Sequence, residues 1–586
     1  MALLLVTSAP ARNPGVPPPE TAMEAAQVVQ DWVRSWAVEG KAPPVRGAAI
    51  ILRRNGRIIA QGESFGDETT NLDRAARLAM VRSMGQDREP TGLGEGPGSN
   101  LTIEVELAGT LIPLNADSDV ALALAVSPGL EGVAVRLGDR VAARFPSQMR
   151  PTGQNAAEGI RALVSELADD PARGLDELPA LRDAGYSFYR FPATDLVQLS
   201  PGTGFIFAHR GGRVIEQSEI TSARLVRMAA GMTEYLAGRL WPGVEPYGLM
   251  GTLDPVTGRV ESRFESPAGQ AMAASALLAC ARTNELDAST RDTARMAAIE
   301  ILKQLARVAD GETEPWASPG DAAATIVALT DAGELVQGEE LTELFDRCAA
   351  RVATSFDPQA RVFTDEVPET AWGIVSLALV RLAKAEAVTP DFASSAVRST
   401  FRNTPPERLV GQFPWLGWAE IESVGPDAAI PAAPALIEVR RLIFRHQLDT
   451  TTLGPEDRDL AGSIVFTTGT TPLPNWNTVR PLPFLADMLA DQRLTSGTLT
   501  SGQASRELAH LLAGLRFLNQ LCVGPVEGHA YPRPARAAWG VRLALWDQRI
   551  GIEATALGLE SVCRTLTTVN ELAARSTGKN KGSQTP

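Results

Sequence analysis

The residues best suited to chemistry lie in a series of loops that each precede an apolar, helix-forming segment. Two of these loops contribute the predicted catalytic acids, which are Asp365, Glu366 and Glu420. The predicted substrate-binding residues come from the same series of loops: Trp316, Trp415, Trp418, Trp476, Asn477, Arg480, His529 and Tyr531. Aromatic faces stack on the C–H faces of sugar rings, while carboxylates accept hydroxyl protons. These loops therefore suit a small-molecule or oligosaccharide ligand with many hydroxyl groups.

Hydrolysis of a glycosidic bond needs two carboxyl groups about 5–5.5 Å or about 6.5–9.5 Å apart. We predict that Asp365 or Glu366 forms such a pair with Glu420, because their loops are neighbours in the predicted ring. The alternative is that Glu420 belongs only to the rim of an aromatic cluster and that His529 is a structural imidazole. None of the four histidines is spaced with Cys or Asp as metal ligands are, so we predict neither a metal nor a cofactor.

The loops are positioned by segments that are apolar on every side. In residues 370–383 only Arg381 is charged, and a helix without a polar face must be buried all round. Similar segments begin at prolines with the spacing of a helical-hairpin array: Pro267, Pro319, Pro368, Pro431 or Pro434, Pro483 and Pro534. Two further acids are predicted to have structural roles. Asp321 is predicted to cap a helix, and Glu553 to form an ion pair with Arg549 on a helix surface.

Amphipathic segments, whose polar residues favour one side, alternate with the apolar ones. They are 221–238, 290–308, 339–355, 391–403, 502–522 and 553–573. Both kinds of segment are explained by two concentric rings: an inner ring of fully buried helices and an outer ring of helices with one solvent-exposed face. Residues 219–575 are therefore predicted to form an α/α toroid of about six helical hairpins. Its inner helices are predicted to begin at one end, so that their leading loops share one pocket.

Residues 21–200 have the pattern of an α+β domain. Asn55-Gly56 between two apolar runs predicts a β-hairpin, and the strict alternation in 101–107 predicts a half-buried strand. The glycine-rich stretch 92–98 is predicted to be a connector, because no Lys-Ser/Thr of a phosphate loop follows it. The other predicted elements are helices at 22–38, 71–85 and 155–168, a hairpin at 131–146 and a strand at 186–191.

Three stretches of this domain resemble the AMMECR-type domain family. They are G-x-x-x-x-L-x-x-N-G-x at 47–57, I-E-V-E at 103–106, and E-G-V-A-V-R-L-G-D-R-V-A-A-R-F-P at 131–146, which is similar to that family's G-L-x-I-R…x-L-x-L-P segment. The family's L-R-G-C-I-G motif is expected near 58–63 and is absent, with Gln61 or a neighbour in place of its cysteine. The resemblance implies the family's fold and no functional residue.

The helical half resembles the α/α-toroid group, which includes six-hairpin glycosidases, sugar epimerases, and the terpene-cyclase and prenyltransferase folds. The D-C-T-A-E and D-x-D-D acids and the Q-W repeats of triterpene cyclases are absent. The resemblance implies, for a catalytic protein, metal-independent acid/base chemistry on a saccharide, as in a glycosidase, lyase or epimerase. The alternatives are a non-catalytic scaffold that uses the same pocket and a terpenoid cyclase-like enzyme, since fold does not decide function.

Composition limits the partners. A net charge of −14 and a pI of about 5.1 argue against nucleic acid, because nucleic-acid binding depends on Lys and Arg surfaces. No apolar run approaches the length of a membrane span, and no basic residue precedes the first apolar stretch. We therefore predict a cytoplasmic protein, unless the true start lies upstream, and no protein partner is identified. Residues 1–20 and 576–586 are predicted to be disordered, with 201–218 as a bridge.

Overall fold

The computed structural model describes residues 15–66, 68–84, 98, 100–309, 318–335, 338–465, 473–495 and 501–582. In them an antiparallel sheet flanked by helices is followed by a ring of helices. This arrangement confirms the predicted fold class, an α+β part followed by an α/α toroid. Among the described helices, none combines the length and the apolar character needed to cross a bilayer. Trp316 and nearly all of the predicted connector at 92–98 lie outside the described residues.

The first part of the chain mixes strands and helices. Its strands are β1 (Gly47–Arg54), β2 (Arg57–Phe65), β3 (Thr102–Ala108), β4 (Ile112–Pro113), β5 (Glu131–Leu137), β6 (Arg140–Arg144), β7 (Tyr186–Val197) and β8 (Ile206–Ala208). Its helices are α1 (Pro19–Ser35), α2 (Asn71–Met84), α3 (Asp119–Ala125), α4 (Pro146–Met149), α5 (Ala156–Ala168) and α6 (Leu178–Asp183).

The second part is mainly helical. Its longer helices are α7 (Ser222–Ala237), α8 (Pro267–Arg282), α9 (Ala288–Ala309), α10 (Pro319–Ala332), α11 (Glu339–Ala353), α12 (Trp372–Lys384), α13 (Pro390–Asn403), α15 (Trp415–Glu422), α16 (Ala433–Arg445), α17 (Leu482–Ala490), α19 (Ser501–Leu521) and α20 (Ile552–Gly582). Its short elements are α14 (Pro406–Leu409), α18 (Gln492–Thr495), β9 (Leu253–Asp254), β10 (Arg259–Val260), β11 (Phe356–Asp357) and β12 (Val362–Phe363).

The sheet has the order β2-β1-β3-β7-β5-β6, with β4 and β8 also paired to β7. The long strand β7 joins the two halves, because its first residues pair with β5 and its last residues pair with β3. The predicted hairpin at Asn55-Gly56 is confirmed, and both residues have the positive φ that its two-residue turn favours.

Alternation along β3 places its two sets of side chains on opposite faces of the sheet. Val105 and Leu107 belong to the core shared with α1 and α2. Glu104 and Glu106 point to the other face and are each 1% exposed. The predicted half-buried strand is therefore buried on both faces. The second face is covered by residues 147–150 and by the loop of the ring that carries His529.

The inner ring consists of α8, α10, α12, α15, α17 and α20. Each packs against the next, and α20 packs against α8, which closes the ring. Every residue from Ala322 to Leu329 in α10 is buried, as expected for a helix enclosed on all sides. By contrast, the outer helix α11 buries mainly one stripe, which includes Leu341, Leu344 and Cys348.

Two of the six predicted inner-helix starts are wrong. The helix near Pro434 is the amphipathic α16, and the inner helix is the short α15, which begins at Trp415. Pro534 opens only a 3-10 turn, and the last inner helix is α20, whose first part was predicted to belong to the outer ring. The misassignment has a physical cause, since polar residues of α20 such as Glu560 face the axis of the ring rather than water.

The inner helices begin at the same end of the ring, as predicted, because their amino ends contact one another. The neighbouring pairs around the ring are Ala268 with Asp321, Gly320 with Ala371, Gly373 with Gln412, Phe413 with Phe484, and Arg480 with Glu553. We call this end, formed by the amino ends of α8, α10, α12, α15, α17 and α20, the mouth.

Candidate functional site

Four of the predicted substrate-binding residues lie together at the mouth. The guanidinium of Arg480 lies 5.4 Å from the ring centroid of Trp415 and 5.8 Å from that of Trp476. Trp476 and Asn477 belong to a 3-10 turn that begins after Asn475, whose side chain accepts a hydrogen bond from the Asn477 amide at 2.9 Å. Trp415 is buried, and Arg480 lies over its ring. Trp476 is only half-buried.

The mouth also carries two carboxyl groups in the first turns of inner helices. The Arg480 guanidinium donates to Glu553 Oε1 at 3.2 Å, and the Ala268 amide donates to Asp321 Oδ1 at 3.0 Å. Burial raises the pKa of Glu553, Arg480 opposes this, and the charge of Glu265 adds to it. Burial likewise raises the pKa of Asp321 against the effect of its hydrogen bond. Burial thus disfavours the ionised form of both groups.

Sequence reasoning did not assign these two acids to the site. Arg549, the predicted partner of Glu553, pairs instead with Asp547 and Glu261. Asp321 does not bond back to its own cap but to the first turn of the neighbouring helix α8. The sequence offered one signal for these two acids, which is their position in the first turn of an inner helix.

Aromatic side chains from other leading loops extend the mouth. Before α8, Tyr247 and the exposed Phe264 stack with ring centroids 5.6 Å apart. Phe363, in the loop before α12, stacks on the half-buried Trp372, the first residue of that helix, with ring centroids 5.3 Å apart. Of these rings, the exposed Phe264 and the half-buried Tyr247 and Trp372 offer flat apolar surface to a ligand, whereas Phe363 is buried.

Two of the three predicted catalytic acids are bound to other parts of the chain. Glu366 is exposed and pairs with Arg351 of the outer helix α11 at 2.8 Å, and Asp365 beside it is exposed. Glu420 is buried and accepts a hydrogen bond from the Ala432 amide, just before α16, at 2.7 Å. Burial raises the pKa of Glu420. The described contacts do not join these acids to one another, and their pairing across a substrate stays a prediction.

Trp418 lies along the axis of the ring rather than at the mouth. Its Nε1 donates to Asp487 Oδ2 at 2.6 Å, and Arg564 lies 4.8 Å from the centre of its ring. The axial cavity lined by these inner helices has a volume of only about 10 Å³, enough for about one water molecule. Its lining includes Asp331 and Arg381, which form an ion pair. A terpenoid cyclase needs a large apolar cavity, which this small charged cavity does not resemble, so the axis gives that alternative no support.

His529 and Tyr531 lie between the ring and the sheet. His529 is 3% exposed in its side chain, and its Nε2 lies 3.9 Å from Glu104 Oε2 of β3. The Tyr531 hydroxyl donates to Gln548 Oε1 at 2.5 Å, and its backbone lies against Gly56 in the β1–β2 turn. The structure therefore places both residues where the two parts of the chain meet. Among the described residues, no group of three or more His, Cys, Asp or Glu could hold a metal ion.

Comparison with known proteins finds similarity only in solved structures, since no family model and no curated protein matches the chain. Uncharacterized protein PH0010 from Pyrococcus horikoshii is 12% identical, with a TM-score of 0.24 over 32% of this chain and 95% of its own. An unsaturated glucuronyl hydrolase specific for heparin is 11% identical, with a TM-score of 0.42 over 60% of this chain and 99% of its own. A family 76 glycoside hydrolase from a bovine Bacteroides thetaiotaomicron strain is 9% identical, with a TM-score of 0.25 over 71% and 96%. Likenesses this distant add no argument about the site.

Proposed function

We propose that the mouth of the toroid binds a saccharide and that Glu553 and Asp321 act on it as acid and base groups, as in a glycosidase, lyase or epimerase. The observation that supports this proposal is the convergence of the inner-helix starts on aromatic rings and on two carboxyl groups with raised pKa. A raised pKa keeps a carboxyl group protonated closer to neutral pH, which general-acid catalysis requires.

The neighbouring residues have complementary roles in this proposal. Arg480 holds the Glu553 carboxyl group through its Nη2–Oε1 bond and keeps the pKa of that group from rising further. Trp476 and Trp372 offer partly exposed rings on which the apolar face of a sugar can stack. The Asp321 carboxyl group stays fixed by the amide of the neighbouring helix.

A second candidate, binding without catalysis, is favoured by the shape of the ring. The axial cavity holds only about 10 Å³, so a ligand would contact the mouth rather than enter the axis of the ring. Enclosure excludes water and strengthens the electrostatic effects on which acid/base catalysis depends. Recognition alone does not need such enclosure.

Titration of the protein with a panel of neutral and acidic oligosaccharides, followed by calorimetry and by product analysis, tests both candidates. We expect a bound member of the panel, and we expect Trp476→Ala to weaken its binding about tenfold. Glu553→Gln and Asp321→Asn should each lower turnover by about 100-fold or more while they retain binding. The matched control is Glu438→Gln, which removes an exposed acid of α16 and should change neither quantity.

Each outcome decides between the candidates. Binding without turnover supports recognition alone, and failure of the whole panel to bind contradicts both. Turnover that survives in Glu553→Gln and Asp321→Asn but falls in Glu366→Gln and Glu420→Gln would transfer the acid and base roles to the pair predicted from the sequence.

A further inference from the structure

A second cavity lies on the outer side of the ring, away from the mouth. It is bounded by residues 214–217, which lead from the sheet to the ring, by the end of α16 with the following loop, and by α19. Its volume is about 790 Å³, within the range of roughly 300–1,000 Å³ typical of small-molecule sites. None of the mouth residues contributes to its wall.

The hydrogen bonds of Gln447 fix the state of His510 on the wall of this cavity. Gln447 Nε2 donates to the backbone oxygens of Gly462 and His510, both at 2.9 Å. Its Oε1 is therefore the atom that faces His510 Nδ1, at 2.7 Å, and a carbonyl oxygen can only accept. Nδ1 consequently carries the proton of the neutral ring, and Nε2 is left as a hydrogen-bond acceptor.

The position of the His510 ring is also fixed. It stacks on Phe444 with centroids 4.5 Å apart and planes 14° apart. Burial lowers the pKa of His510, while the charge of Asp449 opposes this shift, so the neutral ring is favoured. The wall of the cavity thus presents a held, neutral imidazole.

Positive charge predominates in the lining. Three arginines, Arg458, Arg506 and Arg516, stand against two acids, Glu216 and Asp449, although the chain as a whole has a net charge of −14. Arg458 and Arg506 are exposed, and neither has a carboxylate partner among the residues that the structure describes.

Arg516 forms the buried part of this positive wall. Its guanidinium donates to the backbone oxygens of Ile215, Asp459 and Ala461 at 2.6–2.9 Å, so the side chain is held rigidly. Neutral carbonyl groups accept these bonds, and the charges of Asp459 and Glu216 also act on this guanidinium. Arg516 therefore fixes the wall, while the exposed Arg458 and Arg506 supply the charge that attracts an anion.

We propose that this cavity binds a small hydroxylated organic anion, whose carboxylate or phosphate contacts Arg458 and Arg506 and whose hydroxyl group donates to His510 Nε2. The site is separate from the mouth, and it does not depend on the function proposed there. Carboxylate is planar and phosphate is tetrahedral, but both are oxyanions that can accept two N–H groups of one guanidinium. The ligand class is therefore defined by an oxyanion and a hydroxyl group on the same small molecule.

Calorimetric titration of the full-length protein with gluconate, glucose 6-phosphate and neutral glucose tests this assignment. At least one of the two anions should bind and glucose should not, and the tighter anion identifies the charged group that the site prefers. The double variant Arg458→Gln/Arg506→Gln should weaken anion binding by about tenfold or more, since it removes charge-assisted hydrogen bonds. His510→Phe keeps an aromatic ring against Phe444 and should weaken these probes more than it weakens inorganic phosphate, which offers no alcohol hydroxyl.

Two controls keep the result interpretable. Arg441→Gln removes an exposed arginine of α16 that does not line the cavity, and it should leave anion binding unchanged. Glu553→Gln at the mouth should also leave it unchanged, so failure of the proposed saccharide site and failure of this site are distinguishable. The proposal is overturned when neither anion binds, when glucose binds as well as they do, or when the double arginine variant binds as tightly as the wild type.

Discussion

Two clusters of charged side chains inside the protein differ in how deeply they are buried. The sheet cluster comprises Arg53, Glu104, Glu106, Arg150 and Asp195. The axial cluster comprises Asp331, Arg381, Glu422, Asp487, Glu560 and Arg564. Both contain more acids than arginines. Side chains of the sheet cluster are at most 8% exposed, whereas those of the axial cluster are between 8% and 35% exposed.

Deep burial divides the acids of the sheet cluster into two kinds. Burial opposes ionisation of Glu104, yet the charges of Arg53 and Arg150, with the nearby imidazole of His529, hold its pKa well below the usual range. Burial and the charge of Glu104 raise the pKa of Glu106 to about 7. Because Arg53 and Arg150 both pair with Glu104, the other two acids, Glu106 and Asp195, avoid the cost of a buried charge by keeping a proton.

The acids of the axial cluster also divide into two kinds, although their side chains are more exposed. Glu422 is 26% exposed in its side chain and is shared between Arg381 and Lys384, and these cations lower its pKa although burial opposes them. Burial raises the pKa of Asp487 and of Glu560, which share the single cation Arg564. The comparison indicates that the cations paired with an acid decide the direction of its pKa shift in both clusters, while the depth of burial sets the cost of removing a partner. The following predictions test that difference.

The largest effect is expected from Glu104→Gln. This change leaves Arg53, whose guanidinium donates to Glu104 Oε2 at 2.7 Å, as a buried charge without its partner. Removal of one member of a buried ion pair costs about 3–5 kcal/mol of the free energy of unfolding. Denaturant unfolding at pH 7 measures this loss.

The matched control breaks an exposed ion pair of the same part of the chain. Asp73→Asn removes the partner of Arg77 on α2, where both side chains are more than a third exposed, and should cost less than about 0.5 kcal/mol. Equal losses in the two variants would show that the sheet cluster is not sealed from water.

A smaller loss is expected from Arg381→Met in the axial cluster. Arg381 donates to Asp331 Oδ1 at 2.7 Å, to Glu422 Oε1 at 3.1 Å and to the Val327 backbone oxygen at 2.9 Å. The expected cost is about 2–3 kcal/mol, because water and Lys384 partly compensate the acids left behind. Denaturant unfolding of this variant beside Glu104→Gln gives the ranking, and a larger loss in Arg381→Met would reverse the comparison.

The sequence predicts features that neighbouring residues determine, such as turns and amphipathic helices. It does not predict which surfaces are buried by distant segments of the chain. The Asn55-Gly56 turn and the outward polar stripes of most outer helices follow from neighbouring residues alone, and they are confirmed. In β3 the same alternation gives no sign that a distant loop covers Glu104 and Glu106.

The same limit applies to the ring and its mouth. The polar residues of α20 resemble a wet face in the sequence, but Glu560 and Arg564 face the axis instead. Asp321 and Glu553 resemble ordinary first-turn acids, and only the closed ring brings their helix starts to one end. Prediction of the site therefore needed the correct set and order of inner helices. The inner helix α15 is too short to be recognised from its pattern in the sequence.

The last prediction concerns Glu106 and the pH dependence of stability. Its pKa is about 7 in the folded protein and about 4.3 in an unfolded chain, so between these values the folded state holds a proton that the unfolded state has lost. Stability from this group is therefore fully present below pH 4 and falls as the pH rises. The loss between pH 5 and pH 7 is about 2 kcal/mol. Glu104 acts in the opposite direction but only at lower pH, because its pKa is depressed.

In the wild type the Ser147 amide donates to the Glu106 carboxyl group at 3.1 Å. Glu106→Gln removes the titrating group and keeps a side-chain oxygen that can accept this hydrogen bond. The free energy of unfolding of the variant should therefore decline less than that of the wild type between pH 5 and pH 7. Asp195, whose pKa is raised by burial and by the same neighbouring acids, leaves a residual slope of the same sign. Glu422→Gln is the matched change in the axial cluster, and since the pKa of Glu422 is lowered, it should not flatten the profile in this range. Parallel profiles for wild type and Glu106→Gln would mean that Glu106 is ionised in the folded protein, and water would then have to reach the sheet cluster as it reaches the axial one.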